Sequence, residues 1–184
     1  MTTFRRFKPE EDVSSMTQVR SSQQRKVRNS IISQYPLIEE HLEELLPKKQ
    51  PLMIAKCHNH VSILVVNHKP LFFQIRDGPF IPVLRILHKY PFMMTQMRVD
   101  RGAIKFIING ANVMAKGLTN PGGELPNDIP AETPVAIMAE GKQTALGIGM
   151  TKLSSDEIRN AESGIAIELL HHLGDDLWKT PYLE

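Results

Sequence analysis

Cysteine is almost absent: Cys57 is the one thiol in 184 residues. That excludes an internal disulfide framework and a Cys-rich zinc module. Long apolar runs are also missing, and no stretch approaches the roughly 18 residues a membrane-spanning helix needs. The basic start, Arg5, Arg6 and Lys8, leads into no apolar segment, so no secretory signal is predicted. Aromatics are few at 6%, but hydrophobic residues make up 41% and charged residues 23%, which excludes wholesale disorder. Neither a G-x-S-x-G nucleophile turn nor a G-x-x-x-x-G-K-[ST] phosphate loop occurs. The chain therefore reads as a soluble, cytoplasmic protein without a catalytic centre, cofactor or metal. Its length suits one ordinary domain or two small ones.

What charge there is divides unevenly. Residues 1–90 carry 14 Lys+Arg against 8 Asp+Glu, net +6, and residues 91–184 carry 8 against 12, net −4. Opposite signs suggest two units with different surfaces. Glycine divides the same way, with ten of eleven beyond residue 100.

The punctuation of the first half predicts a loose arm over residues 1–13, then a helix from Ser14-Ser15 to Tyr35, stopped by Pro36. Val27, Ile31 and Tyr35 give it one buried stripe. A second helix spans Pro36 to Leu46 and buries Ile38, Leu42, Leu45 and Leu46. Strands follow at Leu52–His58, Val61–Val66 and Leu71–Ile75, the last two joined by a turn at Asn67-His68-Lys69-Pro70. A third helix from Pro82 to Tyr90 buries Val83, Leu84, Leu87 and Tyr90, leaving Arg85, His88 and Lys89 on its other side. Beyond the joint at Tyr90–Thr95, strands are expected at Pro134–Ala139, Ala145–Thr151 and Ile165–His172. A long loop spans Leu118–Pro134, and a capping box at Ser154–Glu157 opens a short helix to about Glu162.

Histidine and cysteine offer little chemistry. Cys57 lies in an apolar strand pattern, where an inert thiol is expected. His58 and His60 would share a strand face, but no second cluster completes a zinc shell. His171-His172 would point to opposite sides of a strand, and the histidines read as surface or half-buried groups. The richest stretch runs from Arg98 to Gly117. Ala103, Ile104, Phe106 and Ile107 fit a short helix, Gly110 allows a reversal, and Ala111–Met114 reads as a strand. Exposed amides there, with Asn109, Asn112 and Lys116, suit a phosphate or a base edge, although a tight helix-to-strand turn needs the same residues.

The strings VDRGAIKFIINGANVMAKGLTNPGG, VAIMAEGKQTALGIG and GIAIELLHHLGDDLW resemble a PUA domain, the small β-barrel of RNA-modifying and ribosome-associated proteins. Pro47-Lys48-Lys49, LFFQIRDGPFIPVLRILHKYP and the helix before Gln34-Tyr35-Pro36 extend the likeness over nearly the whole chain. Together they resemble the malignant T-cell-amplified sequence family of translation factors. The resemblance implies an α+β fold, with an N-terminal α+β domain at 1–91 and a C-terminal PUA β-barrel-like domain at 92–184. It implies a non-enzymatic factor that pairs with density-regulated protein, a SUI1-type partner. The pair would act on the small ribosomal subunit, touching ribosomal RNA and, as a further candidate, tRNA, in tRNA release, recycling and re-initiation. Two other readings stay open: an RNA-modification enzyme or its accessory subunit, and a protein scaffold in growth control.

Carried over residue by residue, the RNA-facing set is Arg101, Lys105, Asn109, Gly110, Ala111, Asn112, Lys116 and Gly117. Family members usually have Cys-Pro where this chain has Ala115-Lys116, which removes a fixed φ and adds a donor. The turn at Asn67-His68 also departs from the expected Asn-Gly. Because the PUA half is acidic, the basic half is expected to supply ribosomal RNA or partner attraction through Arg20, Arg25, Arg28, Arg85 and Lys89.

Overall fold

The computed structural model describes residues 3–184. The chain opens with α1 (Pro9–Asp12), β1 (Val13–Gln18), α2 (Ser21–Gln34), a 3-10 segment at Pro36–His41 and α3 (Leu42–Leu45). Strands β2 (Met53–Cys57), β3 (Val61–Val66), β4 (Lys69–Ile75) and β5 (Ile81–Pro82) follow, then α4 (Leu84–Lys89). The second half contains β6 (Gln96–Val99), α5 (Ile104–Ile107), β7 (Val113–Met114) and α6 (Ala115–Thr119). It ends with β8 (Pro134–Ala139), β9 (Gly147–Thr151), α7 (Ser155–Asn160) and β10 (Ile165–His172). The fold is α+β, as the resemblance implied.

Each half builds one sheet. The first is antiparallel in the order β1-β2-β3-β4-β5. The second has the order β6-β8-β9-β10-β7, parallel only between β6 and β8, and curls into a half-barrel. Gly147 and Gly149 permit the curl. A Cβ on either would come within 2.8 Å of a β10 backbone oxygen, of His171 and of Glu168 respectively, so β10 lies too close for a side chain.

The predicted stripes are buried as expected: Val27 and Ile31 on α2 with Tyr35 at its C-cap, and Ile38, Leu42, Leu45 and Leu46 beyond it. Full burial of such side chains contributes roughly 1.5–3 kcal/mol each. The second of these helices divides into the 3-10 segment and α3. On α4, Ile86 joins the buried side, Arg85 and Lys89 stay exposed, and half-buried His88 bonds the Ala145 carbonyl at 2.9 Å. The α7 capping box forms as expected, with Ser154 Oγ accepting from the Glu157 amide, and the helix ends at Asn160.

Several expectations are overturned. Residues 3–13 are not a loose arm. Phe4 is 1% exposed and stacks edge-on with Phe73 at 4.9 Å, and α1 follows. The C-terminal segment holds this arm: Phe4 O accepts from the Asp176 amide, and Asp176 Oδ2 accepts from the Phe7 amide. Ser14 and Ser15 do not cap a helix. They lie in β1, where the β-branched Val13 and Thr17, followed by Val19, favour an extended chain that pairs with β2. The helix starts at Ser21, with Arg20 at its N-cap. His58 and His60 do not share a strand face, since both sit in the turn between β2 and β3, where Asn59 and His60 have positive φ. The β3–β4 turn is tighter than expected, two residues with φ of 52° at Asn67 and 63° at His68. His171 and His172 are buried, and His171 Nδ1 lies 2.8 Å from Asp175 Oδ2.

The core crosses between the halves. Ala136, Ala145, Ile148, Leu170, Leu177 and Leu183 pack into the cluster that the first sheet and its helices form. Arg85 lies 4.0 Å over the Trp178 ring and donates to the Trp178 carbonyl. No described helix is long and apolar enough to cross a membrane.

Candidate nucleic-acid interface

The stretch from Asp100 to Gly117 folds into two short helices around one glycine turn. Asp100 opens it: its carboxylate accepts from the Ala103 amide, and its own amide donates to Gly117 O at 2.9 Å. One turn of 3-10 helix at Arg101–Ala103 feeds α5. The helix closes through Gly110, whose φ is +94°; the Gly110 amide reaches Ile107 O and the Ala111 amide reaches Phe106 O. This pair of hydrogen bonds is the Schellman ending that a glycine at C′ permits. The expected strand at Ala111–Met114 contracts to β7, and α6 follows at once, shortening the long loop that was expected from Leu118.

Between these helices and the start of β10 lies an open groove of about 590 Å³. Gly102, Ala103, Phe106, Ala111, Met114 and Ile165 give it an apolar lining. Phe106, Met114 and Ile165 are 58%, 48% and 43% exposed, a concentration of bare apolar surface that marks a contact site. Lys105 places Nζ 5.1 Å over the Phe106 ring, and Lys116 is exposed on α6. The geometry suits a flat, partly apolar group stacked on Phe106 with a phosphate near the lysines.

The structure separates the residues singled out from the sequence. Ala111, Asn112 and Gly117 line the groove, and Lys105 and Lys116 are free at the surface. Gly110 works through the turn. Asn109 turns back on α5, its Nδ2 donating to Lys105 O at 2.7 Å. Asn112 Oδ1 accepts from the Leu169 amide at 2.9 Å, so it ties the segment to β10. Arg101 is exposed and holds Glu140 through its backbone amide. Sequence reasoning gave Gly102, Met114 and Ile165 no binding role and placed Phe106 only as part of a short helix. Of α5, Ile107 alone is fully buried, and Phe106 is turned outward.

The basic residues of the first half are also divided. Arg28 is committed: its side chain is 12% exposed, pairs with Glu43 at 3.1 Å and donates to Leu46 O. Arg85 is held by Trp178. Arg25 and Lys48 line a second groove of about 500 Å³ beside Arg28, and Lys89 lies 5.4 Å over the Tyr90 ring. Arg20 is exposed at the α2 N-cap.

Among the described residues no three His, Cys, Asp or Glu are grouped to hold a metal ion. Burial pushes the Cys57 thiol up to about 11, with the Asp12 carboxylate adding to the effect. That is opposite to what a nucleophile needs.

A Pre-PUA-like domain model matches residues 7–91 and a PUA domain model matches residues 96–173. Malignant T-cell-amplified sequence 1-B of Xenopus laevis is 49% identical over 175 residues, covering 95% of this chain and 96% of that protein. Translation machinery-associated protein 20 of Schizosaccharomyces pombe is 45% identical over 177 residues, covering 96% and 98%. Among solved structures, a hypothetical protein of Pyrococcus horikoshii aligns with a TM-score of 0.71 at 23% identity, covering 91% of this chain and 99% of its own. At that identity the likeness speaks to the fold. By sequence, over nearly its full length, the chain belongs to the malignant T-cell-amplified sequence family, with a Pre-PUA-like domain followed by a PUA domain.

Proposed function

We propose that the chain is a non-enzymatic, RNA-binding translation factor that acts on the small ribosomal subunit. The observation that supports this most directly is the bare apolar groove at Phe106, Met114 and Ile165, with Lys105 over the Phe106 ring and Lys116 exposed on α6 next to the lining residue Gly117. It lies within the match to the PUA model, in a chain similar to a translation machinery-associated protein. In this reading an unpaired RNA segment stacks in the groove and the lysines meet its phosphates. The unit boundary falls at residues 91/92. Density-regulated protein is the partner, and the pair disfavours tRNA retained on the subunit, so promoting recycling and re-initiation. The driving energy is binding energy, and no bond is made or broken.

Co-sedimentation with purified small and large subunits, with and without density-regulated protein and across a salt series, tests the reading. Selective small-subunit binding that the partner strengthens is the expected result. Folded protein that binds neither subunit at any salt would overturn it.

A further inference from the structure

The two sheets have four edges, and three of them are blunted. β5 is two residues long and ends in Pro82, which has no amide to donate. β7 is two residues long. β6 is covered by the loop at Glu124, whose backbone exchanges both hydrogen bonds with Arg98 at 2.8 Å. β1 is different. It is six residues long and bears no charge from Val13 to Gln18. Among the described residues, no element other than β2 pairs with it. Ser14, Ser15, Thr17 and Gln18 are exposed. Natural sheets normally guard such an edge with lysine, proline or a cover, because bare amides and carbonyls recruit another strand. Here, among the described residues, a bulge at Val13–Ser15 is the one irregularity of the edge, and it leaves Met16 to Gln18 regular.

The ladder identifies the outward groups. The Val19 amide donates to Leu52 O, and the register alternates from there. The amides and carbonyls of Thr17 and Val19 therefore face β2, and those of Met16 and Gln18 face outward.

Charge selects the occupant. Glu10, Glu11 and Asp12 precede the strand, while Arg20, Arg25 and Lys26 follow it. A second copy pairing antiparallel would match these ends, but it would set two halves of net +6 side by side. A separate chain that is acidic where it meets Arg20 and Arg25 has the same local match without that repulsion.

We infer that β1 is a docking edge for an extended segment of another protein, five to eight residues long and acidic at the end beside Arg20. The incoming strand adds to the sheet through the outward groups of Met16 and Gln18. The inference is independent of the RNA groove, which lies on the other sheet.

The probe is a synthetic peptide with two Asp residues followed by alternating Thr and Val, compared with the same peptide led by two Lys. Binding is read by fluorescence anisotropy on the full chain, and amide exchange is read by NMR. The acidic peptide is expected to bind at least tenfold more tightly than the basic one and to slow exchange at Met16 and Gln18. Gln18→Pro removes an outward donor at an exposed position and should abolish binding. Arg20→Glu, which leaves the ladder intact, should weaken the acidic peptide and strengthen the basic one. Equal affinity for both peptides, unchanged exchange at Met16 and Gln18, or a concentration-dependent dimer of the free chain at micromolar levels would each overturn the inference.

Discussion

Replacing Asn112 with alanine separates a structural role from an RNA-contacting one. β7 pairs with β10 at Ile165 and Ile167 and then ends. The next amide along β10 on that side, Leu169, finds its acceptor in Asn112 Oδ1 at 2.9 Å, one residue before β7 begins. Asn112 thus extends the ladder by one rung through its side chain. Leu169 is 1% exposed, so alanine leaves a buried donor unpaired. Such a loss costs about 1–3 kcal/mol. Asn112 itself is half-buried at the groove, where water can partly substitute, so the lower part of that range is expected, about 1–2 kcal/mol. For a chain of this size that corresponds to a fall in melting temperature of roughly 2–8 °C. Asn112→Asp keeps an acceptor at the same place and should recover most of the loss. Thermal unfolding followed by circular dichroism reads both variants. An alanine variant melting within 1 °C of the parent, or an aspartate variant as unstable as the alanine one, would refute the assignment.

Three further outcomes follow from the same geometry. Phe106→Ala should weaken single-stranded RNA binding by about 5- to 150-fold, the value of one stacked base, and leave the melting temperature unchanged because the ring is 58% exposed; anisotropy with a short RNA and a melt check the two halves. Lys105→Ala together with Lys116→Ala should lower the log–log salt slope of RNA binding by about 1.4, near 0.7 for each single-strand phosphate left without its lysine, whereas Arg85→Ala, which releases Trp178, should lower stability and leave that slope unchanged. Alkylation of Cys57 by iodoacetamide should keep rising nearly tenfold per pH unit from pH 8 to 10, because burial places its pKa at about 11. A rate that levels off at pH 9 would contradict this. The same burial favours the neutral thiol in the fold, so its stabilising effect holds below the unfolded pKa and fades as pH rises toward 11.

Local patterning carried far in some places and failed in others for identifiable reasons. The Ser154 capping box and the Ile165–His172 strand were legible because short-range chemistry alone specifies them. The Ser14-Ser15 start failed because a hydroxyl pair suits a helix cap and an exposed strand equally, and the pairing with β2 that decides between them lies some 40 residues away. The N-terminal arm failed for the same kind of reason. Phe4 and Phe7 look like isolated aromatics until Asp176 and Phe73, remote in sequence, supply their partners. At the groove, the glycine turn and its lysines could be read directly. What could not be read was that Asn109 and Asn112 are occupied internally, or that Phe106 faces outward.

The fate of the cations bears on how the RNA would be held. The sequence offers a basic first half, which suggests attraction by bulk charge. The structure assigns several of those groups to internal work: Arg28 to Glu43 and Leu46, Arg85 to Trp178. In the acidic half, Arg98 pairs with Glu124, Arg159 bonds Leu125 O, and Lys152 is held by Glu132 and Glu168. The groove lining carries one charge, Asp100, and the uncommitted cations on its two helices are Lys105, over the Phe106 ring, and Lys116, exposed on α6. RNA binding built on them would have a shallow salt dependence and would draw its affinity from stacking on an apolar floor. That combination would favour unpaired bases over duplex RNA, whose bases are already stacked and whose backbone rewards dense positive charge. An acidic half with one bare apolar groove is therefore suited to an exposed RNA end or loop on a large assembly, and poorly suited to coating RNA at random.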